Sequence, residues 1–341
     1  MKNMMLFNFI LLFCCVSCVS DPYQKQIFSK NLMYTRFDIV IYSSLPRYKL
    51  EKEINKIWDE LSYWYVQLAP EENGSLNLLN NQSFLSKNDD PKAYGIISNF
   101  IEQSKIIALQ SDGAFDLTVY PLIKLWGIYQ QDDFRVPADK EIKRVLTHIG
   151  MDKIHISNEG IYLEPGVQLD FGAIAKGFAV DRAVSMLTNI SGVNAGFVNA
   201  GGNLLIFGSK PDHTEWSVGI RNPNGGPVSE IIPMYDNEAI ATSGDYEQFF
   251  IVDNKYYHHI FNPKTGYPVD HNLASVSVII KGSAELADIY ATTFLSLGKK
   301  ETLQLVSNLG LQDEVSLFFI ERQKHELSTW ANQAWMNRYS N

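Results

Sequence analysis

A chain of 341 residues with 45% hydrophobic and 20% charged side chains can bury one large core or two ordinary ones. Its formal net charge of −9 leaves no basic surplus for neutralising phosphates, which argues against a nucleic-acid partner. The sequence also lacks a P-loop, a GxGxxG fingerprint, an HExxH and a GxSxG.

The first residues read as an export signal. Lys2 precedes the apolar run Leu6–Val16, which is too short for a mature membrane span and suits a secretory signal. All three cysteines, Cys14, Cys15 and Cys18, lie here, so the rest of the chain has neither a disulfide framework nor a cysteine metal site. The run CVSC resembles a bacterial lipobox, with Cys15 in place of the usual leucine. Cleavage before Cys18 and acylation of its thiol, palmitate included, would anchor the protein to a membrane. A plain signal peptide cut slightly later is the alternative. Both place the protein outside the cytoplasm, in the bacterial cell envelope facing the periplasm or exterior. The expected organisation is a signal peptide over 1–17, a lipidated tether over 18–30 and one folded domain over 31–341.

Along that domain, Phe37, Ile39 and Ile41 alternate in a strand over Asn31–Tyr42. Leu50–Leu68 is amphipathic at helical spacing and ends in the cluster Tyr63-Trp64-Tyr65. Three adjacent aromatics cannot all face one core, so at least one should meet a surface or ligand. Glu71–Pro91 reads as an asparagine-rich loop and Lys92–Gln110 as a second helix stopped at Asp112-Gly113. Asp116 follows in a Gly/Pro-bounded segment, where it can bind a ligand or cap the next turn. Pro137–Ile149 is a further helix.

The stretch Gly166–Leu187 reads as a strand, a glycine break and a helix, because Val167, Leu169 and Phe171 alternate with Gln168 and Asp170. Asp170 then ends a strand and Lys176 lies in the first helical turn, where unpaired amides favour an anion such as a phosphate. An ordinary strand–helix corner with a surface ion pair fits equally. Beyond it the chain is strand-rich, with Asn199-Ala200-Gly201-Gly202-Asn203 between two strands and Asp253-Asn254-Lys255 as a hairpin turn. Ala284–Leu297 is the last strong helix, and Val315–Glu321 with Glu326–Ala331 forms a closing strand pair. Early helices and later strands without βαβ alternation indicate an α+β fold in one domain.

On that last helix Asp288 and Thr292 share a face, and their hard oxygens suit a Mg²⁺ that also holds phosphates. Such a pair also fits a solvated helix face. In the pair His258-His259, strand alternation sends the rings to opposite faces, so at most one serves a given site.

Six segments occur in this order: GAFDLTVYPLIKLWG (113–127), LDFGAIAKGFAVDRA (169–183), NAGGN (199–203), ATSGDYEQFF (241–250), YHHIFNPKTGYPVDH (257–271) and ADIYATT (287–293). Together they resemble the ApbE family of FAD:protein FMN transferases, over about Met33 to Gly298. The resemblance implies a single domain of mixed or antiparallel strands with flanking helices, with FAD as substrate and Mg²⁺ as cofactor. For FAD it implies contacts from Met33, Trp64, Ala114, Phe115, Asp116, Asp170, Lys176 and Phe261. For the metal it implies the side chains of Asp288 and Thr292 and a carbonyl from Ala173, and for proton transfer His259. Three departures stand out: Tyr34 replaces the usual glycine after Met33, His258 replaces a serine, and Asn262 an aspartate.

The implied reaction joins FMN through a phosphoester to a threonine of an acceptor protein, such as a membrane redox subunit, and releases AMP. Water at the same phosphorus would make the enzyme an FAD pyrophosphatase, and without turnover it would be a flavin-binding or flavin-trafficking lipoprotein. Storage alone needs no Asp288/Thr292 pair. The aromatics Tyr34 and Tyr63-Trp64-Tyr65 suggest rings that exclude water from the phosphate.

Overall fold

A computed structural model describes residues 23–128, 134–323 and 326–339; the signal sequence and Cys18 lie outside them. The chain opens with a hairpin of β1 (Gln24–Leu32) and β2 (Thr35–Ser43), followed by α1 (Arg47–Leu68), α2 (Ser75–Gln82), β3 (Phe84–Ser86) and α3 (Pro91–Gln110). Next come α4 (Tyr120–Trp126), α5 (Asp139–Leu146), β4 (Ile154–Ile156), β5 (Gly160–Leu163) and α6 (Ala175–Thr188). Strands β6 (Val193–Ala200), β7 (Asn203–Phe207), β8 (Trp216–Ile220), β9 (Glu230–Met234), β10 (Glu238–Gly244), β11 (Phe249–Val252), β12 (Lys255–His258) and β13 (Leu273–Lys281) follow. The chain closes with α7 (Ala284–Leu297), α8 (Lys299–Asn308), β14 (Ser316–Gln323), β15 (Glu326–Ala331) and α9 (Gln333–Met336).

Eight strands make one open antiparallel sheet in the order β1-β2-β6-β7-β10-β13-β14-β15. Its inner strands are covered on both faces, which is why β7 and nearly all of β13 are buried throughout. On one face, Phe37, Ile39, Ile41, Val276 and Val278 pack against the apolar stripes of α1, α3, α6 and α7. On the other, Ile206, Ile240 and Phe318 meet Trp216 and Ile232 of the β8–β9 ribbon and Trp335 of α9. A third cluster around Trp126 joins α4 and α5 to the β11–β12 hairpin. The α+β expectation holds.

Three local expectations need correction. The tether over 18–30 is a strand from Gln24 onward; its polarity is that of a sheet edge, with only Gln26 and Phe28 buried. The loop Glu71–Pro91 contains α2 and β3, for Leu76, Leu79 and Asn80 are buried among otherwise polar residues. Residues 167–171 belong to no sheet. Asn80 supplies the missing ladder: its Nδ2 donates to the Leu169 carbonyl at 2.9 Å and its Oδ1 accepts from the Leu169 N–H at 2.7 Å. The Asp170 N–H donates to the Leu117 carbonyl at 2.8 Å. The alternation of Val167, Leu169 and Phe171 is a burial pattern, satisfied here without a neighbouring strand.

Candidate active site

Helices α6 and α7 run against each other and cap each other. Gly177 lies so close to α7 that a Cβ would meet the Ala284 carbonyl oxygen at 2.3 Å, so only glycine permits this approach. From α6, Asp181 accepts hydrogen bonds from Ser283 Oγ at 2.9 Å, the Ala284 N–H at 2.6 Å and the Glu285 N–H at 3.1 Å, satisfying the first turn of α7. From α7, Asp288 Oδ2 accepts from the Gly177 N–H at 3.0 Å. That bond serves the start of α6, whose own N-cap residue, Ile174, has no capping side chain.

This corner forms one wall of a cleft of about 820 Å³, within the roughly 300–1,000 Å³ of small-molecule and cofactor sites. Met33 and Tyr34 reach it from the β1–β2 turn, where both have positive φ (51° and 58°), uncommon for such bulky residues. Ala114, Phe115 and Asp116 enter after α3. Asp116 caps the following turn, its Oδ1 accepting from the Thr118 N–H at 2.7 Å. Asp170, Ala173, Lys176, His259, Phe261, Asp288 and Thr292 complete the residues expected from sequence.

Trp64 is the exception. Its indole is 1% exposed, packs edge-on against Phe178 at 5.1 Å and donates from Nε1 to Glu60 at 2.9 Å. It shares the buried stripe of α1 with Ile57, Leu61 and Leu68, so helical phase sends it into the core. The next residue, Tyr65, lines the cleft instead, with its ring edge-on to Tyr34 at 5.8 Å. Glu71, Asn203, Arg221 and Glu247 also line it, although the sequence did not mark them as site residues. Asn203 falls in the NAGGN run and Glu247 in ATSGDYEQFF, but Glu71 and Arg221 lie in segments with no distinguishing spacing.

The two adjacent histidines diverge as alternation requires. His258 is buried; its Nδ1 accepts from the Ile260 N–H, so its Nε2–H donates to the Val269 carbonyl at 3.0 Å. The Nδ1 of His259 faces the Gln248 carbonyl at 3.3 Å and must donate there, which leaves the Nε2 lone pair as the ring's acceptor. Burial, with His258 and Lys176 nearby, pulls the His259 imidazole down to about 3, so it is neutral in the free protein. At Lys176 burial opposes the charge, yet Asp288, Glu247 and Asp170 outweigh it and raise the ammonium.

Asp288 is 4% exposed. Burial raises its carboxyl against the pull of Lys176 and the Gly177 N–H, and no cation forms an ion pair with it among the described residues. Thr292 lies one turn on, its Oγ1 3.2 Å from Ser243 Oγ. A buried carboxylate without an ion pair, lining one cleft with the Thr292 hydroxyl and Ala173, offers hard oxygens that fit Mg²⁺. Among the described residues no three His, Cys, Asp or Glu side chains cluster to hold a metal by themselves, so such an ion would need further oxygens.

The family model for ApbE matches residues 33–318. The chain belongs to the ApbE family. A relative described as FAD:protein FMN transferase, from Treponema pallidum, is 30% identical over 313 residues, 84% of each chain. Among solved structures, the ApbE protein of Thermotoga maritima superposes with a TM-score of 0.81 at 27% identity, covering 92% of this chain and 99% of that one. The apo flavinyl transferase ApbE of Pseudomonas stutzeri gives a TM-score of 0.79 at 27% identity, covering 94% and 98%.

Proposed function

We propose that this ApbE protein is a Mg²⁺-dependent FAD:protein FMN transferase that esterifies a threonine hydroxyl of an acceptor protein. The observation that carries the reading is the single cleft gathering Asp288, Thr292, Lys176 and His259, in a chain whose relatives bear that activity's name. FAD would lie along Met33, Ala114–Asp116, Asp170 and Phe261. Its diphosphate would lie at the start of α6, where helix amides and the Lys176 ammonium both favour negative charge. Asp288, Thr292 and the Ala173 carbonyl would hold Mg²⁺, which when bound supplies charge neutralisation on phosphate oxygens.

The acceptor hydroxyl attacks the flavin-side phosphorus, and the phosphorus–oxygen bond to AMP breaks. The hydroxyl proton goes to a base; His259 offers a neutral Nε2 lone pair at the cleft, and the negative charge of a bound diphosphate would raise its basicity from the low value of the free protein. FMN remains on the acceptor as a phosphoester and AMP leaves. The test is incubation with FAD, Mg²⁺ and candidate acceptors, read by mass spectrometry of the proteins. Stoichiometric FMN and AMP with no labelled protein would make it a hydrolase.

From the lipobox-like CVSC run we propose in addition that the protein is lipid-anchored through Cys18 in the cell envelope. The lipobox-like run ending at Cys18 motivates this anchor, so a Cys18→Ser protein exported behind a conventional cleavable signal should move to the soluble fraction. Retention on membranes after a high-salt wash would rule out this anchor.

A further inference from the structure

Strand β8 pairs with β9 and, among the described residues, with nothing on its other side. The Ile220 carbonyl accepts from the Ser229 N–H, so it points toward β9. Peptide groups alternate in direction along a strand, which turns those of Ser217 and Gly219 to the open side. Both residues are exposed, and no described residue hydrogen-bonds to their peptide groups from that side.

An edge of this kind is a template for another strand, and proteins ordinarily blunt it with proline, lysine or an inward charge. The segment WSVGI has none of these. Instead the edge runs directly into the catalytic cleft: Val218, Gly219, Ile220 and Arg221 line it together with Asp288, Thr292 and His259. Opposite Gly219, Ile231 of β9 is 60% exposed, an apolar surface beside a residue without a side chain. Just past the strand, Arg221 lies 5.5 Å from the Tyr246 ring centroid and feels the Glu247 carboxylate without forming an ion pair among the described residues.

We infer that the free edge of β8 is the docking rail for the acceptor protein, whose hydroxyl-bearing segment adds to it as an extended strand along Ser217–Arg221. The inference rests on the transferase reading and says how the second substrate is held. A hydroxyl carried on an extended segment can enter the cleft while the main chain of that segment pairs with the free edge. Main-chain hydrogen bonds supply the affinity in this mode, and flanking pockets supply the selectivity.

Ser217→Pro removes an N–H that the ribbon does not use and puts a ring in the path of an incoming strand. Gly219 is unsuitable, because a Cβ there would meet Val228 Cγ1 at 2.9 Å. The probe is the peptide flavinylated fastest by the unmodified protein in a threonine-centred library, together with versions N-methylated at alternate amides. Ser217→Pro should lower kcat/KM for that peptide at least tenfold. FAD affinity and peptide-free FAD hydrolysis should stay within twofold. One N-methylated series should lose transfer similarly in the unmodified protein. Undiminished peptide transfer by Ser217→Pro overturns the rail. Should that variant also lose FAD affinity, the N-methyl series decides, and equal transfer to every methylated peptide overturns it. A protein that consumes FAD yet labels neither peptides nor any protein sinks the transferase reading itself.

Discussion

Asparagine at position 288 isolates the charge of the carboxylate from its structural role. Asp288 holds the Gly177 N–H at 3.0 Å, and an amide oxygen can keep that bond. What disappears is a negative charge on a side chain that is 4% exposed and has no ion-pair partner among the described residues. Burial opposes that charge more than the nearby Lys176 ammonium favours it, so the metal-free Asp288→Asn protein should be at least as stable as its parent. Asp288→Ala, by contrast, orphans the Gly177 N–H at a cost of about 1–3 kcal/mol. With Mg²⁺ at a hundred times its dissociation constant the parent should gain about 2.7 kcal/mol, a shift in Tm that Asp288→Asn should lose. Removing a charged ligand from a phosphoryl-transfer centre takes away several kcal/mol, and about 2.7 kcal/mol already means a hundredfold in rate. Thermal unfolding with and without Mg²⁺, paired with AMP release from FAD, reads both effects. An Asp288→Asn protein that keeps the Mg²⁺ shift, with turnover within about twofold of the parent, would refute the metal assignment.

Gly177→Ala should cost about 1–3 kcal/mol by forcing α6 from α7, and should weaken Mg²⁺ activation of FAD turnover; unchanged Tm and activation would contradict the close approach. Trp64→Ala should destabilise by about 3–5 kcal/mol in urea titrations while leaving the ratio of transferred to hydrolysed FMN unchanged, and a shifted ratio would return Trp64 to the site. The His259 imidazole is held down to about 3, below its unfolded value of about 6.5, so its contribution to stability is complete above the unfolded value and fades as pH falls through that interval. His259→Asn should therefore lose less urea resistance on acidification than the parent, and parallel pH profiles would exclude this origin.

The helices α1, α3 and α7 were legible because a long apolar stripe at helical spacing suits a helix laid on a core and little else. The cleft was legible only through the family resemblance, since Met33, Asp116, Lys176, His259 and Asp288 come from five separated segments. Periodicity misled where a side chain stood in for backbone, as Asn80 does beside Leu169. It also misled where a strand had little to bury, as β1 does at the sheet edge. Strand β9 was missed because Pro233 interrupts a short run, which an edge position tolerates. Trp64 shows the limit of carrying a contact across a region of variable loop length: one position along a helix is a rotation of about 100°, enough to exchange core for cleft.

The exchange of caps between α6 and α7 also sets which parts of this chain can change length. Asp181 grips the first turn of α7, and Asp288 grips Gly177 near the first turn of α6. A single residue inserted between Gly177 and Asp181, or between Ala284 and Asp288, would swing one carboxylate by about 100° and release both grips. No loop lies between the paired positions to absorb the change. Insertions should therefore be tolerated only in segments outside that frame, such as the exposed turn around Gly225 and Gly226 between β8 and β9.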